Sequence, residues 1–162
     1  MNQLPIEVRM ADASDTTDVM TMLQQMDAED GSERLQSVTA GHLRRVLADT
    51  DAPTSVLLAV VKEQIVGLAA FRMAVTTFGA RTELYLDDLY VTREMRRRGV
   101  GHALMRRLAH VAQQRGAHRV LLNVMIENAT AIRFYEDLGG TVFKEGRGCA
   151  FDEAALQRLV SG

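Results

Sequence analysis

The sequence predicts a mixed α/β layer fold, and three observations carry that expectation. Apolar, β-branched runs at 55–61, 65–75 and 81–91 are separated by short polar turns, the pattern of an antiparallel meander. A long helical pattern after Gly101 is followed by a nearly continuous apolar run at 119–125, which reads as a strand covered on both faces. Strand, helix and strand from 84 to 125 therefore form a parallel crossover beside the meander. The length of 162 residues suits one domain spanning 1–162, and 47% hydrophobic residues are enough for a substantial core.

In order, Ile6 to Met10 alternates as a first strand, and Asp12 to Asp15 supplies caps for a helix with Val19, Leu23 and Met26 as its buried stripe. Residues 28–38 are polar with a glycine and read as a loop. Leu43, Val46 and Leu47 mark a short second helix that stops before Pro53. After the meander, Val100, Ala103, Leu104, Leu108, Val111 and Ala112 line one face of a helix that Gly116 ends. Asn128 can cap another helix whose inward residues include Ile132, Phe134 and Tyr135, with Gly139-Gly140 as its stop. A last strand pair around 141–151 and a helix from Asp152 close the chain. The whole sheet is expected to hold about six to seven strands.

A net charge of −2 argues against a general nucleic-acid footprint. No 18-residue apolar run or signal-peptide pattern is present, which points to a cytoplasmic protein without a membrane role. The single Cys149 excludes an internal disulfide. His42, His102, His110 and His118 are scattered, so no metal site is expected.

The chemistry concentrates at 84–101, LYLDDLYVTREMRRRGVG. An apolar strand enters an Arg- and Gly-rich turn that opens a helix. Such a turn aims backbone N–H groups and the positive end of the helix dipole at one spot. Gly99 and Gly101 let a ligand approach the main chain, and Arg96, Arg97 and Arg98 add charge. An anion site and a solvated basic turn both fit these residues. No Lys-Ser or Lys-Thr follows the glycines, and the spacing is not Gly-x-Gly-x-x-Gly, so neither a P-loop nor a dinucleotide fingerprint is present. Asp87 and Asp88, adjacent on a strand, are expected on opposite faces.

Three segments in order resemble the GNAT acyl-CoA N-acetyltransferase superfamily: Leu86-Asp87-Asp88-Leu89-Tyr90-Val91, Arg96-x-x-Gly99-x-Gly101, and Asn128-x-x-Ala131-x-x-Phe134-Tyr135-x-x-x-Gly139. The diamine and polyamine branch is the most similar, although Asp87 stands where that branch has Glu and Glu127 where it usually has an aromatic residue. The resemblance implies a GNAT fold, and acetyl-CoA as co-substrate with no metal. It implies direct acetyl transfer to a small primary amine, with a homodimer as the usual assembly.

By position, the backbone of Leu89, Tyr90 and Val91 would pair with the pantetheine arm. The amides of Arg97, Arg98, Gly99, Val100, Gly101 and His102 would hold the pyrophosphate, with Arg96 beside it. Asn128 would contact pantetheine, and Tyr135 would protonate the leaving thiolate. Asp87 would act as base, and Asp87, Asp88, Glu29 and Asp30 would attract the amine. A main-chain N–H near Leu89 or Tyr90, freed by a strand bulge, would meet the oxyanion. Protein, peptide or aminoglycoside acetylation, and a silent acyl-CoA sensor domain, remain the alternatives.

Overall fold

The computed structural model describes residues 5–31, 38–77 and 79–143. The chain divides into two units, Met1–Asn123 and Val124–Gly162. The first holds β1 (Glu7–Met10), α1 (Thr16–Asp30), α2 (Ala40–Ala48), β2 (Thr54–Val61), β3 (Gln64–Thr76), β4 (Arg81–Val91), α3 (Val100–Gln114) and β5 (Ala117–Leu122). Among the described residues the second holds α4 (Ala129–Asp137).

The five strands lie in sequence order, β1-β2-β3-β4-β5. The first three pairings are antiparallel, and β4 pairs with β5 in parallel. The meander and the crossover are thus as the periodicity predicts. Among the described residues there are five strands; the further strands and helix expected at the end of the chain fall almost wholly outside those residues, and 141–143 form no strand.

Helices cover both faces of the sheet. Val56, Leu58, Leu68, Ala70 and Tyr90 point to one side, where Val19 and Met22 of α1 and Leu43 of α2 complete a buried cluster. On the other side α3 buries Val100, Ala103, Leu104, Leu108, Val111 and Ala112, the same six residues its helical period selects. In α1 the buried stripe runs through Val19 and Met22, with Leu23 and Met26 only partly covered. Met22 thus takes the central place expected of Leu23.

Local chemistry fixes the entry to α1. Asp12 accepts from the Ser14 N–H at 2.8 Å, and Asp15 accepts from the Asp12 N–H at 2.9 Å, a reciprocal cap. Arg9 of β1 grips the buried Asp15 with two bonds of 2.8 and 2.7 Å. This hydrogen bonding holds the Asp15 carboxyl below its usual range, against the opposing effect of burial. The helix outlasts the expected boundary at Ala28 and stops at Gly31, whose left-handed φ of 63° lets its N–H reach Asp27 O.

β5 departs from expectation. It begins at Ala117, ends at Leu122, and none of its residues is fully buried. Among the described residues it stands at the end of the sheet order, with β4 on one side. Its register gains a residue near His118 and Arg119, opposite the buried Glu83. Arg119 Nε donates to Glu83 Oε1 at 2.7 Å, and His118 Nδ1 lies 2.8 Å from Thr82 O. This pair marks where the parallel ladder starts. Among the described residues, no helix is long and apolar enough to cross a membrane.

Candidate functional site

The first unit's candidate site begins where β4 outruns its parallel neighbour. The ladder to β5 ends at Leu86↔Leu122, yet β4 continues to Val91. From 88 to 91 it pairs with β3 on one side. Among the described residues of this unit, no strand pairs with its other edge. That edge offers alternating main-chain donors and acceptors to an extended ligand.

A bulge opens this segment. Phe71 is aligned with Leu86 and Ala70 with Asp88, so Asp87 is the extra residue. The expected bulge exists, but it lies two residues before Leu89. It also breaks the alternation that would set Asp87 and Asp88 on opposite faces. Asp88 aligns with Ala70, while Asp87 Oδ1 accepts from Arg72 Nη1 at 2.5 Å, and Arg72 is two residues along the same face of β3. The Arg72 guanidinium also stacks 4.3 Å from the centroid of the Tyr85 ring. Sequence reasoning missed Arg72; its signal was a single charge inside the apolar run AAFRMAV.

At the far end of β4, a short 3-10 turn at Arg93–Met95 leads to the arginine-rich segment. Arg97 takes a left-handed φ of 59° and Gly99 one of 85°. These reversals bring the chain into α3 with Gly99 as the N-terminal residue, and no side chain caps the helix. Its first-turn amides, from Val100 onward, keep the positive end of the dipole without an internal anion. Arg97, Arg98, Gly99 and His102 are exposed, Gly101 is half-buried, and Val100 anchors the turn in the core.

Arg96 behaves differently from its neighbours. Its Nε donates to Val91 O at 2.9 Å and its Nη2 to Glu29 Oε2 at 2.5 Å, with the guanidinium 5.8 Å from the centroid of the Tyr90 ring. Glu29 Oε1 accepts from the Tyr90 hydroxyl at 2.8 Å and lies 3.2 Å from Arg93 Nε. Glu29 is thus engaged by two arginines and a phenol, and Arg96 braces the turn from α1. The Arg96 bond chiefly holds the Glu29 carboxyl below its usual range. Burial, then the Glu29 anion, push the Tyr90 phenol up to about 12. Asp30 is exposed at the end of α1, and Leu89 and Val91 are half-buried.

A recess of 790 Å³ opens on the α1 side of the turn, between Met22 and Gln25 of α1, the β2–β3 hairpin, and Thr92 to Met95. Of the arginines in the turn, Arg98 lines it. The lining mixes Arg9 and Lys62 with Asp18, Glu63 and Glu94, so it favours neither sign of charge.

The second unit carries the other expected residues on α4. Asn128 Oδ1 accepts from the Ala131 N–H at 3.0 Å and caps the helix. The Phe134 and Tyr135 rings meet edge to face with centroids 5.3 Å apart. Gly139 has φ 87°, and the Gly140 N–H returns to Tyr135 O at 2.9 Å, so the helix stops where expected. Burial raises the Tyr135 phenol above its ordinary value, which keeps it protonated past neutral pH. Among the described residues, no three His, Cys, Asp or Glu side chains cluster as a metal site.

The family model described as acetyltransferase (GNAT) family matches residues 20–140. The L-ornithine N5-acetyltransferase of Arabidopsis thaliana is 35% identical over 95 residues, which are 59% of this chain and 42% of that protein. The thialysine N-epsilon-acetyltransferase of Bos taurus is 30% identical over 100 residues, 60% of this chain and 58% of that one. The match therefore spans about half the length of these relatives. Among solved structures, an aminoglycoside acetyltransferase from an uncultured soil metagenomic sample, bound to sisomicin, superposes with a TM-score of 0.78 at 16% identity. It covers 91% of this chain and 95% of its own, a likeness of fold.

Proposed function

The chain belongs to the GNAT acetyltransferase family, and from that premise we propose that it moves an acetyl group from acetyl-CoA directly to a primary amine of a small molecule. Residues 1–162 act as a single domain in this reading, as a cytoplasmic homodimer. The observation that carries it is the end of β4, which has no strand on its other edge among the described residues of the first unit and runs into the uncapped N-terminus of α3. An extended arm with amide groups suits the first, and a pyrophosphate suits the second. The relatives named for ornithine and thialysine support an amine acceptor.

In this reading the thioester supplies an activated acetyl group. The main chain of Leu89, Tyr90 and Val91 binds the pantetheine arm, and Asn128 adds a contact to it. The amides from Arg97 to His102 bind the pyrophosphate, with Arg97 and Arg98 screening its charge. Arg96 acts one step back, because its side chain braces the turn through Glu29 and Val91.

Transfer requires a neutral amine, since a free amine is mostly protonated at pH 7. Asp87, through its Oδ2 and a water, takes the amine proton; its short side chain favours the relay. The nitrogen lone pair then forms the C–N bond to the carbonyl carbon while the C–S bond breaks. The sulfur leaves with the bonding pair and takes the Tyr135 hydroxyl proton, and the second proton shed by the acylated nitrogen returns that phenolate to its hydroxyl form. A main-chain N–H released by the bulge at Asp87 stabilises charge on the carbonyl oxygen. Asp88 and Asp30 draw the cationic acceptor towards the site.

The test is coenzyme A release from acetyl-CoA across diamines, polyamines, amino acids, aminoglycosides and short peptides, with Tyr135→Phe alongside. Turnover on one class, with kcat about 100-fold lower in Tyr135→Phe and KM for acetyl-CoA nearly unchanged, is the expected result. Tight acetyl-CoA binding with no turnover anywhere would instead favour a sensor domain. No binding at all would remove the anion site from which the reading starts.

A further inference from the structure

Arg72 and Asp87 form a charged pair at the bulge, where β4 and β5 part. Both side chains meet solvent, at 41% and 33% exposure, although they sit on strands that are otherwise largely apolar. Tyr85 supports the guanidinium from its flat face, which orients the arginine without using its N–H groups. Among the described residues, Arg72 donates only from Nη1, to Asp87.

The charge balance here discriminates between classes of amine. A diamine or polyamine is cationic at both ends, and a carboxylate at the bulge would attract it. Here the Asp87 carboxylate is already matched by a guanidinium, so a second cation beside it meets repulsion as well as attraction. A ligand with a carboxylate some atoms from its amine meets the reverse. Its carboxylate suits the planar fork of Arg72, and its ammonium suits the carboxylates of Asp87 and Asp88.

We infer that Arg72 determines acceptor specificity by binding a carboxylate, so that the acceptors are amino acids with a side-chain amine rather than plain diamines or polyamines. This rests on the transfer reading given above and narrows its acceptor.

Two matched pairs test it: L-ornithine against 1,4-diaminobutane, and L-lysine against 1,5-diaminopentane. The members of each pair differ by the α-carboxylate alone. Coenzyme A release gives kcat/KM for each with the native protein, Arg72→Gln and Arg72→Lys, and thermal melts check folding. The expected native preference for the carboxylate-bearing member is at least about tenfold, the size of one half-exposed charge contact. Arg72→Gln collapses that ratio towards one through a higher amino-acid KM, and Arg72→Lys restores part of it. The acetyl-CoA KM is the same in all three proteins.

A native enzyme that prefers the diamines, or treats both alike, overturns the inference and leaves the transfer reading standing. Equal losses on both members of a pair in Arg72→Gln also overturn it, by showing a structural role. No release from any of the four amines overturns the inference alone, and the wider panel of amines then decides the transfer reading separately. The native ratio needs no variant, so poor folding of either substitution does not rescue the idea.

Discussion

At the residue scale, the site depends on a close approach that only glycine allows. A Cβ on Gly67 would lie 2.8 Å from Tyr90 O, 3.2 Å from Val100 Cγ1 and 3.3 Å from Leu104 Cδ1. The nearest atom is backbone, on the strand assigned to pantetheine, and it cannot swing aside. Gly67→Ala is expected to cost about 1–3 kcal/mol, as overpacking does, and to raise the acetyl-CoA KM by pushing β4 and α3 apart. Denaturant unfolding and a KM measurement check both parts; an unchanged midpoint would show that β4 has slack. Sequence reasoning found Gly99 because a turn glycine announces itself between arginines. It passed over Gly67, whose role arises from a helix more than 30 residues away. Asp87 and Asp88 illustrate the same limit: the letters gave two adjacent carboxylates, but which one is extra depends on the register with β3.

At the element scale, helices were the most legible, because a period of 3.6 is written in neighbouring residues. The buried face of α3 follows from its spacing alone. In β5 the apolar run implied cover on both faces, whereas a run cannot report that its apolar residues stay only half-buried beside β4. What fixes this strand is the ion pair between Glu83 and Arg119, which a local pattern cannot reveal. Glu83 is 6% exposed, and removing Arg119 would leave its carboxylate buried with His118 Nε2 at 3.7 Å. Arg119→Ala is therefore expected to lower stability by about 2 kcal/mol, the scale of a lost hydrogen bond to a charged group. Thermal unfolding reads this directly. A loss of a few tenths would mean that half-exposed Arg119 leaves room for water to take its place.

At the scale of the whole molecule, two carboxylates from α1 and the turn before it tie the sheet together. Asp15 answers Arg9 of β1, and Glu29 answers Tyr90 of β4 and the arginines after it. Both carboxyls are held below their ordinary range in the folded state. A depressed folded value means stability that is complete above the unfolded pKa, about 4, and lost as pH falls through the folded value. The unfolding midpoint should therefore be nearly level from pH 7 to about 5 and drop below about 4. Glu29→Gln should start lower at pH 7 and show a shallower acid limb. Parallel curves for the two proteins would mean that Glu29 titrates alike folded and unfolded. None of this network was visible in the sequence, where Glu29 read as an acidic loop residue 67 positions from Arg96.

The open edge of β4 has one more consequence, for how the protein survives when it has no ligand. A strand edge with free main-chain groups is a template for any other extended chain, and sheets left so tend to join edge to edge. Here the exposed run is short. The bulge at Asp87 bends it at its start, which spoils the straight edge that a second strand would need. The irregularity that shapes the site thus also works against edge-to-edge joining of ligand-free copies.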